Sequence, residues 1–385
     1  MRGSSGVVAA VATLTMLAAF VGSGACSGDA RAPGRVASRP PTMAIAATVP
    51  DTPSASSTSA SAAAPPPSPA SSATIRIAAV GDIMLARSIG ARITSDAAAW
   101  SPFAGVENIL KGADLAVGNL ECAVGTSGAP AKKAYTFRAP PAAIGALTGA
   151  GIDVVNLANN HALDYGTDVF GETLELLDRA GVAHAGGGSS EAKAHEPTVV
   201  VIRGMRVAFL GYVKVMAEGK GGAGFDTRSW EAKGSAPGIA WADPDRIAKD
   251  VASAKSDADV VVVFLHSGFE ASYLPNVWQR LAARAAVDAG ASLVLGAHPH
   301  VLQGSERYKN GFIAYSLGNF VFDGSDGYSA ILQVTLDRDG VKDVAWTPVM
   351  LRGGAPELPD EKTSLWIQNT IRSLSLQIGY VYKER

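Results

Sequence analysis

Two histidines, His298 and His300, stand on either side of Pro299, directly after the apolar run Leu293–Leu295. The chain has six histidines, and another of them, His266, ends the apolar run "DVVVVFL". An imidazole at the end of a buried strand either coordinates a metal ion or needs a hydrogen-bond partner. Because a proline favours an extended conformation for the residue before it, we expect His298 and His300 to face the same side. The pattern predicts half of a metal site, and a polar loop is the alternative.

Other apolar runs also end in side chains that bind metal ions. Asp82 follows "IRIAAVG", Glu121 follows "ADLAVGNL" and Asn160 follows "IDVVNLAN". The candidate metal ligands are therefore Asp82, Glu121, Asn160, His266, His298 and His300. Mixed nitrogen and oxygen ligands suit the divalent ions of Mn, Zn or Fe. Six ligands exceed the need of one tetrahedral ion, so the set predicts one or two ions, with a carboxylate bridging a pair.

His161 follows Asn160, and Asp164 lies three residues further on. A carboxylate at this spacing can hydrogen-bond the imidazole and set its tautomer. We therefore predict that His161 is a catalytic acid, or a donor to a developing negative charge, and that Asp164 orients it. Two of the candidate ligands have simpler alternatives, since Asp82 could cap a helix and Glu121 could form a salt bridge.

Three charged residues are candidates for binding a substrate. Arg87 and Arg138 could hold an anionic group, and Glu270 could contact the substrate or act as a second base. Solvated surface side chains are the alternative for all three. Asn119 and Asn319 each follow a glycine, and their expected role is a left-handed turn.

Short Val/Ile/Leu-rich runs alternate with helix-like stretches from Thr74 onward. The predicted helices lie at 97–111, 141–150, 168–180, 243–256, 276–289 and 361–377. Nearly continuous apolar runs indicate strands buried on both faces, and the alternation indicates α/β layers. Two further pairs of runs, which turn at Gly204 and at 339–340, predict antiparallel hairpins. The polar clusters follow strand ends, where the loops of α/β sheets converge.

The N-terminal segment predicts export. Residues 1–25 combine Arg2, an apolar stretch and small residues ahead of Cys26, which is the layout of a secretory signal peptide. Both a lipoprotein signal, with Cys26 acylated, and plain secretion fit this segment. Residues 26–73 are rich in Pro, Ala and Ser and predict a disordered linker. The predicted location is the cell surface or periplasm, with membrane association through the signal or a lipid anchor.

The remaining chain is predicted to form one domain over 74–355 and a C-terminal helix within 356–385 that packs on it. The chain has 385 residues, of which 47% are hydrophobic, and a formal net charge of −2. This composition suits a globular protein with a sizeable core. It has no basic stripe, which argues against nucleic acid as a partner.

The ordered motifs resemble those of the CapA family, associated with capsule or poly-γ-glutamate synthesis, within the calcineurin-like metallophosphoesterase superfamily. The matching blocks are "AVGDIMLAR", "ADLAVGNLE", "NLANNHALDYG", "FLHSGFE", "GAHPHVLQGSE" and "YSLGNFVFD". They cover roughly residues 74–350. The resemblance implies an α/β class fold, a metallophosphatase-like four-layer α/β/β/α sandwich with two mixed sheets. It also places the superfamily's ligand pattern on the six candidate ligands and its Asn-His pair on Asn160 and His161.

The resemblance implies a protein that makes, exports or anchors an anionic capsular polymer, and a possible activity as a metal-dependent hydrolase. The reaction would be hydrolysis of a phosphoester or amide bond by metal-bound hydroxide. Met84 departs from the phosphoesterase pattern, which usually has a histidine two residues after Asp82, and a thioether is a poor ligand there. One alternative is a non-catalytic accessory protein that binds polymer or a membrane-bound synthase, its metal site structural or vestigial. Another is a phosphoesterase unrelated to capsule, acting on a phosphorylated small substrate.

Overall fold

The structure is a computed structural model that describes residues 73–96, 100–215 and 225–381. The signal peptide predicted over 1–25, Cys26 and nearly all of the linker predicted over 26–73 lie outside these residues. Within the described segments, no helix is both long and apolar enough to cross a membrane.

The strands, in chain order, are β1 (Ile75–Met84), β2 (Leu115–Leu120), β3 (Ala123–Val124), β4 (Arg138–Ala139), β5 (Ile152–Asn156), β6 (Ala183–Ala185), β7 (Gly187–Gly188), β8 (Thr198–Ile202), β9 (Met205–Lys214), β10 (Gly238–Ile239), β11 (Val260–Ser267), β12 (Leu293–Ala297), β13 (Ser305–Tyr308), β14 (Gly311–Ala314), β15 (Asn319–Phe322), β16 (Gly327–Asp337), β17 (Gly340–Arg352) and β18 (Ala355–Glu357). The helices are α1 (Arg87–Ser95), α2 (Glu107–Lys111), α3 (Ala142–Ala150), α4 (Gly166–Ala180), α5 (Glu191–Ala194), α6 (Pro244–Asp257), α7 (Val277–Asp288) and α8 (Glu361–Val381). A short 3₁₀ helix spans Thr227–Trp230.

Most of the strands form two mixed sheets. The first sheet has the order β18-β17-β16-β1-β2-β5-β6, with β15 also paired to β1. Its strands run parallel from β1 to β6 and antiparallel from β16 to β18. The second sheet has the order β13-β14-β12-β11-β9-β8, with a parallel centre and antiparallel edges. Both predicted hairpins are confirmed, as β8–β9 and β16–β17.

Apolar side chains fill the space between the two sheets. They also fill the space between the outer face of each sheet and the helices that cover it. The cluster between the sheets draws on both of them and includes Ile77, Ala79, Val117, Val154, Val207, Phe209, Val262 and Leu295. Helices α1, α3 and α4 cover the outer face of the first sheet. Helices α6 and α7 cover the outer face of the second sheet. The predicted four-layer α/β/β/α sandwich is confirmed.

Two details of the helices differ from the sequence analysis. The helix predicted over 97–111 is wrong for most of its length, because only Glu107–Lys111 at its end is helical in the described part. Helix α1, which was not predicted, begins at Arg87 and buries Ile89 and Ile93. Its β-branched residues and central glycine give it a weak local helix signal, so tertiary packing decides its conformation.

Helix α8 lies against β13 and β17 at the outside of the domain. Its buried side chains recur at helical spacing and are Ile367, Ile371, Leu374 and Ile378. The hydroxyl of Ser375 also accepts a hydrogen bond from the Ser305 backbone N–H at 3.0 Å. These contacts fix the last described element of the chain to the edge of the second sheet.

Candidate metal centre

A short crossing segment, residues 315–318, joins the two sheets. It leaves β14 in the second sheet and enters β15 in the first. On the way, the Leu317 N–H donates to the Gly296 carbonyl at 3.0 Å, and the Gly318 carbonyl accepts from the Asp82 N–H at 2.9 Å. The segment therefore ties the carboxyl end of β12 to that of β1.

Two glycines make this close approach possible. A Cβ atom on Gly81 would collide with the Gly318 carbonyl oxygen, and one on Gly296 would collide with the Tyr315 carbonyl oxygen. Both contacts are with backbone, which cannot swing aside as a flexible side chain can. Glycine is thus required at both positions because the crossing segment passes directly over them.

Asn119 lies at the centre of the acidic half of the site. Its Nδ2 donates to Asp82 Oδ1 at 2.8 Å and lies 3.1 Å from His266 Nδ1 and 3.4 Å from Glu121 Oε2. All four side chains are buried. The expectation of a left-handed turn for Asn119 is wrong, because the residue belongs to β2 and pairs in register with Asp82 on β1.

Further asparagines fix the Asn119 amide. Its Oδ1 accepts hydrogen bonds from Asn156 Nδ2 at 2.8 Å and Asn159 Nδ2 at 3.3 Å. Asn160 follows them, and its Oδ1 lies 2.7 Å from His266 Nε2. A layer of amides therefore positions the carboxylates and one imidazole, and the amide oxygen of Asn160 lies beside His266, where its role as a ligand stays a prediction.

The second sheet supplies the histidine half. His300 Nδ1 lies 3.2 Å from Asp82 Oδ2 and 2.8 Å from Asn319 Oδ1. The His298 backbone N–H points to the same Asp82 oxygen at 3.4 Å. Asn319 is the first residue of β15, so its expected role in a left-handed turn is also wrong.

The backbone of the histidine pair differs from the extended geometry expected for it. His298 has φ +94° and His300 has φ +59°, so both lie in the left-handed region. The two rings nevertheless approach each other, with centroids 5.8 Å apart, and His298 also lies 4.9 Å from the His266 ring. Both side chains therefore face one site, but the backbone that places them there is a strained loop and not the extended segment that was expected.

Left-handed backbone at residues other than glycine occurs at this loop and at a few other positions. The non-glycine residues with positive φ in the described chain are Arg87, Arg203, Ala271, His298, His300 and Lys309. Arg203 and Lys309 lie in two-residue hairpin turns, where positive φ is required. The Ala271 N–H donates to the Pro299 carbonyl at 2.9 Å and so braces the histidine loop. Each left-handed residue costs about 1–2 kcal/mol, which surrounding contacts must offset.

The residues present fit a metal ion. Two groups of ligand atoms lie within 4.8 Å of one another: Asp82, Glu121 and His266, and Glu121, His298 and His300. Glu121 belongs to both groups, as a bridging carboxylate would. Within the described residues its Oε1 has no hydrogen-bond partner, and neither has His298 Nδ1, although both are buried. Buried polar atoms without partners are costly, and a cation would satisfy them.

The charges of these groups also suit a cation. Burial, and then the charge of Asp82, raise the pKa of Glu121 well above its usual value. Burial lowers the pKa of His266 well below its usual value and that of His298 to about 3, so both rings are neutral. Burial alone would raise the pKa of Asp82 and lower that of His300. The hydrogen bond and the opposite charges of this pair outweigh burial, so the pKa of Asp82 lies below its usual value and that of His300 above it. Neutral imidazoles beside carboxylates are the donors that borderline divalent ions prefer.

Met84 does not take part in this cluster. Its side chain is fully buried in the apolar layer between the first sheet and its helices. Its Sδ accepts the Ala86 N–H at 3.3 Å. The position that departs from the phosphoesterase pattern therefore contributes packing to the core rather than a ligand.

His161 and Asp164 lie beside the ligand cluster with a third residue that the sequence analysis missed. His161 Nδ1 lies 2.6 Å from Asp164 Oδ2, which also accepts the Phe137 N–H at 2.6 Å. Lys133 Nζ lies 3.1 Å from Asp164 Oδ1, and both side chains are fully buried. Lys133 Nζ also donates to the Asn160 backbone carbonyl. The sequence offers no signal for Lys133, because the residue before it, Lys132, is also a lysine and is exposed. Nothing in the sequence distinguishes the buried lysine from the exposed one.

The three predicted substrate contacts have different surroundings. Arg87 packs on the Phe137 ring, 4.7 Å from its centroid, and that ring packs on His161 with centroids 4.2 Å apart. Glu270 is exposed. Its charge raises the pKa values of Glu121 and His300, although this effect is weaker than that of burial. Arg138 packs instead on Tyr165, 4.5 Å from the ring centroid.

A four-layer sandwich with carboxylates and histidines gathered at the strand ends of both sheets is a metallophosphoesterase-type fold. A family model described as "Bacterial capsule synthesis protein PGA_cap" matches residues 76–324, and the chain belongs to this family. This confirms the resemblance to CapA proteins.

Two relatives are named as CapA proteins. The "PGA biosynthesis protein CapA" of Bacillus subtilis is 34% identical over 312 residues, which cover 79% of this chain and 78% of that protein. The "Capsule biosynthesis protein CapA" of Bacillus anthracis is 33% identical over 291 residues, covering 72% and 68%. A Mycobacterium tuberculosis protein named "Probable polyglutamine synthesis accessory protein" is 27% identical over 323 residues, covering 78% and 83%.

Proposed function

We propose that the chain works in the synthesis or anchoring of capsular poly-γ-glutamate, and that its centre hydrolyses a phosphoester or amide bond. The names of its Bacillus relatives support the first part. One observation carries the second: two groups of ligand atoms share Glu121, whose buried Oε1 has no hydrogen-bond partner among the described residues.

Asp82, Glu121 and His266 would hold one ion, and Glu121, His298 and His300 a second, with Asn160 beside His266 as a further oxygen donor. A bound divalent ion supplies a Lewis acid that lowers the pKa of a water molecule and polarises the bond to be cleaved.

His161 would move the proton. Its Nδ1 is held by Asp164, which fixes the ring and leaves Nε2 as the atom that exchanges a proton with the leaving group. Lys133 keeps Asp164 in place through their buried ion pair. Glu270 is exposed and its charge acts on Glu121, so its carboxylate would contact the substrate.

Replacing Glu121 and His161 separates metal binding from proton transfer. We expect purified chain loaded with Mn²⁺ or Zn²⁺ to bind up to two ions, and Glu121→Gln to bind fewer, as measured by elemental analysis. His161→Gln should keep its metal and lose about 10²- to 10⁴-fold in kcat on p-nitrophenyl phosphates or poly-γ-glutamate. His184→Gln is the matched control, since that ring contacts Asp178 on α4 instead. Failure of the loaded wild-type chain to retain metal would refute the proposal.

A non-catalytic accessory role is the second candidate, and Met84 favours it. Because its side chain lies in the apolar core, one ion lacks the ligand that phosphoesterases usually have there. A strain carrying Glu121→Gln that still makes capsule would favour this role, in which the chain binds polymer or a membrane-bound synthase. Turnover of phosphorylated small molecules, without any effect on capsule, would favour a phosphoesterase unrelated to capsule.

We also propose export to the cell surface or periplasm, supported by the signal-like sequence before Cys26. Mass spectrometry of the mature N-terminus would test this. A start at Cys26 with an acyl mass indicates a lipid anchor, and a cut without the acyl mass indicates secretion. An intact Met1 on a chain that external protease cannot reach in whole cells or spheroplasts would contradict export.

A further inference from the structure

An open cavity of about 560 Å³ lies on the side of Arg87 and Arg138, and Arg87 is linked to His161 through the Phe137 ring. It is bounded by helix α1, by residues 125–126 and by the segment 138–141 that leads into α3. Two guanidinium groups, those of Arg87 and Arg138, line it. The acidic Glu172 at its edge is engaged with Thr126, whose backbone N–H and hydroxyl lie 3.1 and 3.3 Å from the carboxylate.

Arg87 is held in place without a counter-charge. Its guanidinium lies 4.7 Å from the Phe137 ring centroid and 5.5 Å from that of Tyr135. Its backbone adopts φ +53°, a strained left-handed conformation that His298 and His300 also adopt. Strain of this kind persists only where surrounding structure enforces it, and it is concentrated at ligand sites.

Arg138 is fixed in a similar way. Its guanidinium packs over Tyr165 and donates to the carbonyl oxygens of Ser127 and Gly128. Carbonyl groups and aromatic faces orient a guanidinium but do not neutralise it. Within the described residues, neither Arg87 nor Arg138 forms a salt bridge.

Arg92 and Arg307 also pack on aromatic rings and form no salt bridge within the described residues, but neither shares a cavity with a second such arginine. Six other arginines of the described chain pair with carboxylates. The pairs are Arg203–Asp114, Arg228–Glu231, Arg246–Asp250, Arg284–Glu306, Arg338–Asp259 and Arg352–Glu357. Two oriented guanidinium groups without carboxylates therefore converge on one cavity in a chain whose net charge is −2. Guanidinium groups recognise planar anions through paired N–H donors, and aromatic surroundings strengthen such contacts.

We infer that this cavity is a subsite for successive carboxylates of a γ-linked glutamyl chain, an inference that rests on the proposed function for the identity of the polymer. Such a chain carries one free α-carboxylate on each unit, which matches two separate guanidinium groups in one cavity. The Phe137 ring separates Arg87 from His161, with contacts of 4.7 and 4.2 Å. A chain bound at Arg87 thus extends past one aromatic ring to the metal centre.

Equilibrium binding tests the subsite without relying on hydrolysis. Fluorescence anisotropy of labelled oligo-γ-glutamate is measured with the purified chain, first with a chelator and then with Mn²⁺. Arg87→Gln and Arg138→Gln should each weaken binding by about 10-fold or more in the chelator, which corresponds to about 1.4 kcal/mol. Arg372→Gln on α8 and Arg179→Gln on α4 are exposed arginine controls and should change binding less than about 2-fold.

Competitors identify the anion. An oligomer with amidated α-carboxylates should not displace the label, and tripolyphosphate should displace it only at higher concentration than the unlabelled oligomer. Preferred binding of tripolyphosphate would overturn the carboxylate assignment. Wild-type binding that is absent, or unchanged in both arginine variants, would overturn the subsite.

Two comparisons keep this test distinct from that of the proposed function. Binding in the chelator that depends on Arg87 supports the subsite even if no bond is cleaved. Hydrolysis by an Arg87→Gln variant with unchanged KM for the polymer overturns the subsite but leaves the centre intact. Arg87→Gln is the decisive variant, because its exposed side chain makes no hydrogen bond that the fold needs, and an unchanged thermal midpoint verifies folding.

Discussion

Lys133, which no sequence pattern indicates, forms a buried ion pair with Asp164 that affects both stability and the candidate site. Both side chains are fully buried, and Asp164 also holds His161 and the Phe137 N–H. A buried charge that loses its partner is strongly destabilising, whereas an exposed lysine in a loop contributes little. Lys133 therefore supports both the fold and the orientation of His161.

Replacing Lys133 by methionine should show this difference. We expect Lys133→Met to lower the free energy of unfolding by about 3 kcal/mol, because it leaves Asp164 buried without its cation. Urea denaturation measures the change. Lys132→Met, at the exposed neighbour, should change stability by less than about 0.5 kcal/mol. Equal effects of the two substitutions would show that the ion pair does not stabilise the fold.

Among single residues, the sequence predicted those that combine a metal-binding side chain with a position directly after an apolar run. The histidines and carboxylates were recognisable because they follow apolar runs, and strand ends of α/β sheets meet at one edge. Asn119 was not, because the same Gly-Asn pattern also occurs in turns and only the register with Asp82 distinguishes them. Lys133 depends on burial, which a loop sequence does not reveal.

Among the elements, the crossing segment over residues 315–318 brings the two halves of the centre together. Asp82 and Gly296 are bonded to it through their backbones. Gly81 and Gly296 lie directly beneath this segment. Because neither residue has a side chain, β1 and β12 can come close together at the site.

Gly81→Ala should separate these elements. The added Cβ meets the Gly318 carbonyl oxygen, so we expect a loss of about 1–3 kcal/mol in stability together with weaker metal binding. Calorimetry and metal titration measure the two effects. Gly145→Ala is the matched control, because a Cβ there meets nothing within 4 Å and should stabilise α3 by about 0.5–1 kcal/mol. A stable Gly81→Ala with normal metal binding would contradict this account.

A second set of elements, α5, β9 and α6, is joined by Asp250. Its carboxylate lies 2.7 Å from His195 Nδ1, accepts the Tyr212 hydroxyl at 3.0 Å and accepts Arg246 Nε at 2.9 Å. Burial raises the pKa of Asp250, but the hydrogen bonds from His195 and Arg246 outweigh it, and the pKa lies below its usual value. Asp250 therefore stabilises the fold above its unfolded pKa and loses this effect as pH falls through the folded pKa.

We expect Asp250→Asn to lower the free energy of unfolding by about 1–3 kcal/mol at about pH 6, and by less at about pH 3. Denaturant titrations at both values measure the difference. Asp257→Asn, at the exposed end of the same helix, serves as the control. A penalty that is independent of pH would mean that the charge of Asp250 does not contribute.

The elements themselves were predictable to different degrees. The hairpins β8–β9 and β16–β17 follow from alternating apolar residues and turn glycines, which are local signals. Helix α1 was missed because its formation depends on burying Ile89 and Ile93 against the sheet rather than on local propensity. The left-handed backbone of the histidine loop was also beyond sequence reasoning, because it is enforced by contacts with residues such as Ala271.

For the molecule as a whole, the candidate ligands come from both sheets. Asp82 lies in β1 and Glu121 follows β2 of the first sheet, whereas His266 lies in β11 of the second sheet and His298 and His300 follow its strand β12. An ion bound by both groups would link the two halves of the sandwich, so metal binding and global stability should be coupled.

Thermal unfolding with added Mn²⁺ or Zn²⁺ measures this coupling. At a free concentration about 100 times the Kd, the ion should stabilise the folded chain by about 2.7 kcal/mol. Glu121→Gln should show a much smaller increase, because Glu121 is shared by both ligand groups. An equal increase in the variant would mean that the ions bind elsewhere.

The crossing segment also has a consequence for the order of events during synthesis. Asp82 and the His298 N–H that points to it are separated by 216 positions. A chain that emerges N-terminus first, from the ribosome or across the membrane, thus presents its carboxylates long before its last histidines, and we expect the two halves to meet only when residues 315–318 dock between them. Closing so long a loop is slow relative to local folding. Assembly of the centre is therefore a late step, and a captured ion would report that nearly the whole domain has been built.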